Sequence, residues 1–573
     1  MKKSSALLRP HLDAGPMRRK AQPERGSVTR SALPRQPTSN FMSVLILPRM
    51  LCGRPICALF LIISIFSLAI AIPPKLPAES LIPSTPGNAP DYFCTWNIQG
   101  YVCSYTGSAA MRNLLTETNL FGPGKYQDWV GFYPRIRSDL LFVMDDSWDV
   151  GFTNQDYGAD ILNPERFPNY AGFGTEPEKL KKLNAAIQAR GWRAVGGWIC
   201  ANKAAAYASL SDQEFYTQRL QWMDSAGWGY WKVDWGKHSK DVNWRRQLTD
   251  WAHAYAPRLQ VEQAMTWNAV PFADAFRTYD VEVISSIPVT LSRVCRGIKQ
   301  VAEPNARALI NCEDEPTIGA TLGCALGIMR HPFAGNLPDG RQDDAFPPVT
   351  RDLKHCLNEV ERGVLWHRVA PPFKVDGQVS IDPTNLTDTW CFRAREGWAT
   401  KTPGKWVTNS APARITRGGL PLPAVQVAAG EPPFVIASRN PNGVVTVATL
   451  GRTICTSPTD RNYGTPLADI TLAIGKLTGP IGIFGHYQSL TLVFDKPVTG
   501  RTILAQDILA HESKDITTQV TIQGNTLTLP GNLIDQIGLA AASPGDKSDP
   551  GLVVSLSGIE APAALPSAKV EQN

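Results

Sequence analysis

Histidine is scarce in this chain, and the eight present are dispersed over 573 residues with no H-E-x-x-H and no C-x-x-C pair anywhere. Those absences remove the usual zinc frameworks and argue against metal-dependent hydrolysis, and chemistry run by two carboxylates, as read below, implies no metal or organic cofactor. Of eleven cysteines, Cys52 and Cys57 lie in the leader, leaving nine, an odd number too scattered for a disulfide scaffold. Cys94 and Cys103 are close enough to pair in an oxidising compartment, but spacing alone assigns no pairing. A basic excess is also missing from most of the chain. Residues 1–71 contribute +9 to a net charge of +6, so the remainder carries −3 and a nucleic-acid partner is not expected. No internal repeat is visible.

Only one long apolar run exists, ALFLIISIFSLAIA at 58–71, interrupted by Ser64 and Ser67. It is short for a membrane span and ends in Ala69-Ile70-Ala71 before a proline pair. Residues 1–71 therefore read as a basic leader and signal peptide cleaved after Ala71, with a start at Met42 or Met50 giving the signal an ordinary length. The mature protein is expected to be extracytoplasmic, periplasmic or secreted, with no stable membrane span.

What the chain does have is alternation. Between 90 and 372, short apolar runs alternate with helical patterns such as 176–191, 212–227, 243–255 and 352–368. Strands are expected near 93–97, 139–144, 193–199, 230–234, 259–264, 275–280, 308–312 and 331–335. Eight strands with interposed helices predict an α/β fold, a (β/α)8 TIM barrel. From 373 to 560 the pattern becomes short alternating strands with Gly, Pro and Asn turns, among them 444–450, 489–494, 520–531 and 552–558. This predicts an all-β, β-sandwich C-terminal domain, either enlarged or carrying an insertion near 398–432. The tail at 561–573 reads as disordered.

Two acidic runs stand where predicted strands stop: Met144-Asp145-Asp146-Ser147-Trp148-Asp149 and Trp231-Lys232-Val233-Asp234-Trp235-Gly236. Strand ends are where a parallel barrel keeps its chemistry. Indole beside carboxylate suits a sugar, whose C–H faces stack on aromatic rings while its hydroxyls need acceptors. An oligosaccharide or polysaccharide is therefore the expected partner.

Taken together, TWN on the first strand, Asp145-Asp146 with Trp148 after the second, Lys232-Val233-Asp234 after the fourth and Arg277-Thr278-Tyr279-Asp280 after the sixth resemble the melibiase clan. These are α-galactosidases and relatives of glycoside hydrolase families 27 and 36, and the resemblance covers roughly 92–370 and the order of the two domains. It implies that Asp234 is the nucleophile of a retaining reaction and Asp280 the acid/base, with Glu282 as its rival on the same strand face. It further implies that Asp145, Asp146 and Lys232 hold sugar hydroxyls, that Trp148 packs on the ring, and that Trp198, Glu262 and Arg277 shape the pocket. Trp96 and Asn97 would close it from the first strand. The expected function is a secreted retaining exo-glycosidase acting on terminal α-galactosides. Alternatives are α-N-acetylgalactosaminidase, β-L-arabinopyranosidase or α-glucan hydrolase activity, or a carbohydrate-binding barrel without hydrolysis.

Overall fold

The computed structural model describes residues 79–558 except 155, 173, 279–285, 303–305, 342–355, 375–377, 392–405 and 458–460. The leader, the signal segment and the tail expected at 561–573 lie outside the described residues.

Eight parallel strands close into a barrel: β1 (Tyr92–Cys94), β2 (Leu141–Met144), β3 (Ala194–Ile199), β4 (Tyr230–Val233), β5 (Gln260–Gln263), β6 (Ala275–Arg277), β7 (Leu309–Glu313) and β8 (Ala325–Ile328). Closure is made by β1 against β8, with Tyr92 paired to Gly327 and Phe93 to Ile328. Strand periodicity turns alternate residues inward. Tyr92, Cys94, Leu141, Val143, Ala194, Tyr230 and Met329 form a small apolar cluster of their own, while Phe93, Phe142, Val195, Trp231 and Ile310 belong to the larger core. Glycine makes room inside the barrel: a Cβ at Gly196 would stand 2.8 Å from Tyr230 Cβ and 2.9 Å from Val143 Cγ2.

The helices on the outside start where the sequence caps them. The helices Glu176–Gln188 and Asp212–Ser225 each open with a capping box, Thr175 with Glu178 and Ser211 with Glu214. The helix Val242–Tyr255 opens on Asp241, whose carboxylate accepts from the Asn243 and Trp244 N–H groups.

Two expectations change. The eighth strand is Ala325–Ile328, and the segment 331–335 follows it as a loop. Strand one ends at Cys94, so Trp96 and Asn97 open a helix, Trp96–Val102. Cys94 points into the barrel, and both it and Cys103 are free thiols.

The C-terminal domain is a sandwich of an eight-stranded and a five-stranded sheet. Val447, Ile470, Leu472, Ile483, Leu490, Leu492, Leu527 and Val554 fill the space between them. The other face of the larger sheet packs on the barrel through Phe434, Ile436, Ala448 and Phe484. Arg362 in the helix Leu357–Trp366 holds Asp507 with two contacts of 3.1 Å, and Trp366 Nε1 donates to Thr446 Oγ1 at 3.0 Å. Trp406–Pro412 pairs with Asn385–Cys391 in a two-stranded sheet, and Arg414–Arg417 and Ala424–Gln426 each join one of the main sheets.

Candidate active site

The inward alternation that fills the barrel with apolar side chains below turns polar toward the strand ends. Trp198 pairs with Lys232, Lys232 with Glu262 and Arg277 with Asn311, so side chains from neighbouring strands meet at matched heights. Asp145 and Asp234 lie one residue beyond β2 and β4.

Asp234 is held from two sides. Trp198 Nε1 donates to its Oδ2 at 3.1 Å, and the Arg277 guanidinium places Nη2 3.1 Å from its Oδ1. Its main chain is fixed too, since the N–H donates to the Ile199 carbonyl and its own carbonyl accepts from Arg245 Nη2. Burial alone would raise the carboxyl, but Arg277, Lys232 and the Trp198 N–H outweigh it and hold Asp234 below the ordinary carboxylate value. The result is an ionised, preorganised carboxylate at a barrel strand end.

Arg277 is buried and shared among three acids: besides Asp234, its Nε is 3.2 Å from Glu262 Oε1 and its Nη1 3.5 Å from Glu313 Oε1. Glu262 itself accepts from Tyr230 at 2.8 Å, from Asn311 at 2.5 Å and from Tyr92 at 3.4 Å. Burial raises its carboxyl despite Arg277 and Lys232. Glu262, expected to shape the pocket, sits a layer below Asp234 and holds Arg277.

Asp145 and Asp146 point to different partners. Lys232 Nζ donates to Asp145 Oδ2 at 2.7 Å and to Cys94 Sγ at 3.2 Å, and the Cys94 thiol donates to the same Asp145 oxygen at 2.9 Å. Asp146 accepts from Arg112 Nε at 3.0 Å and from the Ser147 hydroxyl at 2.7 Å. Burial pushes the Asp146 carboxyl up to about 6, although Arg112 and Ser147 pull it down.

Trp148 does not line the mouth. Its ring is fully buried in the main core, 5.3 Å from that of Trp228, and its Nε1 donates to the Trp198 carbonyl at 2.8 Å. It shares that core with Phe142 and Met144, the outward-facing members of β2, whereas Leu141 and Val143 face the barrel interior. The residues that do gather above β3 and β4 are Trp198, Tyr157 and Trp235, with Arg112 over the last two rings. Trp235 was visible in the acidic run, whereas Arg112 and Tyr157 lie on connections with no motif to mark them. Asp280 and its rival Glu282 lie outside the described residues. Among the described residues, no group of three or more His, Cys, Asp or Glu side chains is placed to hold a metal ion.

The defined class is a closed β/α barrel with strand-end carboxylates, followed by a β-sandwich. No family model and no curated protein matches the chain. Among solved structures it is similar to α-galactosidase I from Mortierella vinacea, at 10% identity over 83% of this chain and 98% of that one, with a TM-score of 0.35. It is also similar to a β-L-arabinopyranosidase of glycoside hydrolase family 27 from Geobacillus stearothermophilus, at 10% over 84% and 98%, TM-score 0.34. An α-galactosidase from Saccharomyces cerevisiae gives 10% over 82% and 97%, TM-score 0.33.

Proposed function

We propose that the protein is a retaining exo-acting glycoside hydrolase of α-galactosidase type, with Asp234 as nucleophile. The observation that carries this reading is the Asp234 carboxylate, kept ionised at the end of β4 by Arg277 and oriented by Trp198. In the reaction so assigned, Asp234 attacks the anomeric carbon and forms a glycosyl ester as the bond to the leaving oxygen breaks. Asp280, or Glu282 two residues on, gives that oxygen its proton and then takes a proton from the water that hydrolyses the ester. Asp145, with Lys232 beside it, supports recognition of hydroxyls far from the reacting carbon, because buried charged acceptors and donors penalise a missing or inverted hydroxyl. Secretion through the 58–71 segment belongs to the same proposal.

The test is turnover of a panel of nitrophenyl glycosides, with the product anomer followed by proton NMR. The α-galactoside should be hydrolysed with the α-anomer formed first. Faster turnover of an α-N-acetylgalactosaminide or β-L-arabinopyranoside would move the specificity within the clan. Sugar binding without turnover of any glycoside would leave a carbohydrate-binding barrel.

A further inference from the structure

The glycosidase reading leaves a small apolar cluster without a role. Val150, Tyr157, Trp198 and Cys200, with Trp235 packed at their edge, form a group separate from both the main core and the barrel interior. Four tryptophans lie in or beside the acidic runs. Trp148 and Trp231 are fully buried and Trp198 is 2% exposed with its N–H committed to Asp234. Trp235 alone of the four keeps part of its surface open, and it directly follows Asp234 in the chain.

Its indole is rigidly mounted. The ring centroid is 5.4 Å from Trp198 and 5.3 Å from Tyr157, and the Arg112 guanidinium lies 5.6 Å over it. Its carbonyl accepts from the Ala201 N–H at 2.8 Å. The next residue, Gly236, has φ 144° and sits so close to the segment that follows β3 that a Cβ there would be 2.7 Å from the Ala201 backbone. Arg112 spends its Nε on Asp146, and its side chain is 22% exposed. Among the described residues, its two terminal amino groups have no acceptor. A guanidinium offers donors only, so what it can take is oxygen.

Depth orders the two halves of the site. Lys232 and Asp145 have side chains 2% and 5% exposed, while Arg112 and Trp235 stand further out. An exo-acting enzyme buries the terminal sugar in the deep end, so the outer rim meets the group that leaves. We propose that Trp235, backed by Tyr157 and flanked by Arg112, is the leaving-group wall. It takes a saccharide whose apolar ring face lies on the indole and whose oxygens accept from Arg112. This rests on the hydrolase reading and adds to it a preference for sugar over small leaving groups.

The test compares two substrates with one glycone, α-galactosyl fluoride and the trisaccharide raffinose, in full-length wild type and Trp235→Ala. The variant should lose at least ten times more kcat/KM on raffinose than on the fluoride, whose leaving group is too small to touch the wall, and Trp235→Phe should recover part of the difference. Arg112→Met, which keeps the side chain's length, carries the same comparison if Trp235→Ala does not fold. Equal losses on both substrates overturn the wall, because the ring would then be acting through Trp198 on Asp234. A wild type that turns over neither substrate overturns the hydrolase reading and the wall with it, a result distinct from equal losses in an active enzyme.

Discussion

The Arg277 guanidinium approaches the Asp234 carboxylate to 3.1 Å inside the barrel mouth, and the same guanidinium touches Glu262 and Glu313. One cation therefore sets the charge state of the proposed nucleophile and neutralises the layer beneath it. Arg277→Gln would leave three carboxylates facing one another without it. Asp234 would lose the strongest influence holding it down, so the acid limb of the kcat/KM profile should move to higher pH. Breaking a buried pair this way costs roughly 3–5 kcal/mol at neutral pH. A group whose carboxyl is depressed by folding stabilises the fold above its unfolded value and loses that contribution as pH falls. The gap between variant and wild type in urea denaturation should accordingly narrow toward acid pH. An unmoved acid limb would remove Arg277 from the control of Asp234.

Asp146 makes the opposite prediction. Its folded value of about 6 lies above the ordinary 3.8, so the folded state holds the proton more tightly than the unfolded one. Stability from this group is greatest below about pH 4 and declines as pH rises to about 6. Asp146→Asn cannot titrate. Its stability relative to wild type should rise between pH 4 and 7 by on the order of 2 kcal/mol, read from urea midpoints across that range. Parallel curves for the two proteins would show that the carboxyl is not raised.

Trp148 separates a core residue from a sugar platform. Buried against Trp228, it should cost about 3–5 kcal/mol as Trp148→Ala, measured by denaturant unfolding. Trp148→Phe should fold and keep KM for the nitrophenyl α-galactoside within about twofold, since nothing in the ring's position reaches the mouth. A tenfold rise in KM with unchanged stability would return Trp148 to the substrate.

Much of this is legible in the sequence, for reasons that differ residue by residue. Asp145, Lys232, Asp234 and Arg277 were readable because strand alternation fixes which side chains face inward and because an apolar run ending in acid marks a strand's end. Glu262 carried the same inward signature, but alternation says nothing of height, and it stands level with Lys232 rather than with Asp234. Trp148 joins Phe142 and Met144 in the main core, the side of the strand opposite Val143, and its neighbourhood to the acidic pair says nothing of that side. The eighth strand was shifted because TIGATLGCALGIM is apolar and small throughout, and periodicity does not divide the helix Pro316–Leu322 from the strand Ala325–Ile328. Arg112 reaches Asp146 from a five-residue helix, Ser108–Arg112, after strand one, a contact no local pattern announces.

The claim on which the rest depends is that Asp234 forms the covalent bond. Incubation with a galactose-configured cyclitol epoxide, followed by proteolysis and mass spectrometry, reads this directly, because such a reagent esterifies the carboxylate that attacks the anomeric position. The adduct should appear on the peptide carrying Asp234 in step with loss of activity, and Asp234→Asn should be inactive, folded and unlabelled. A label on another carboxylate, or an active Asp234→Asn, would contradict the account.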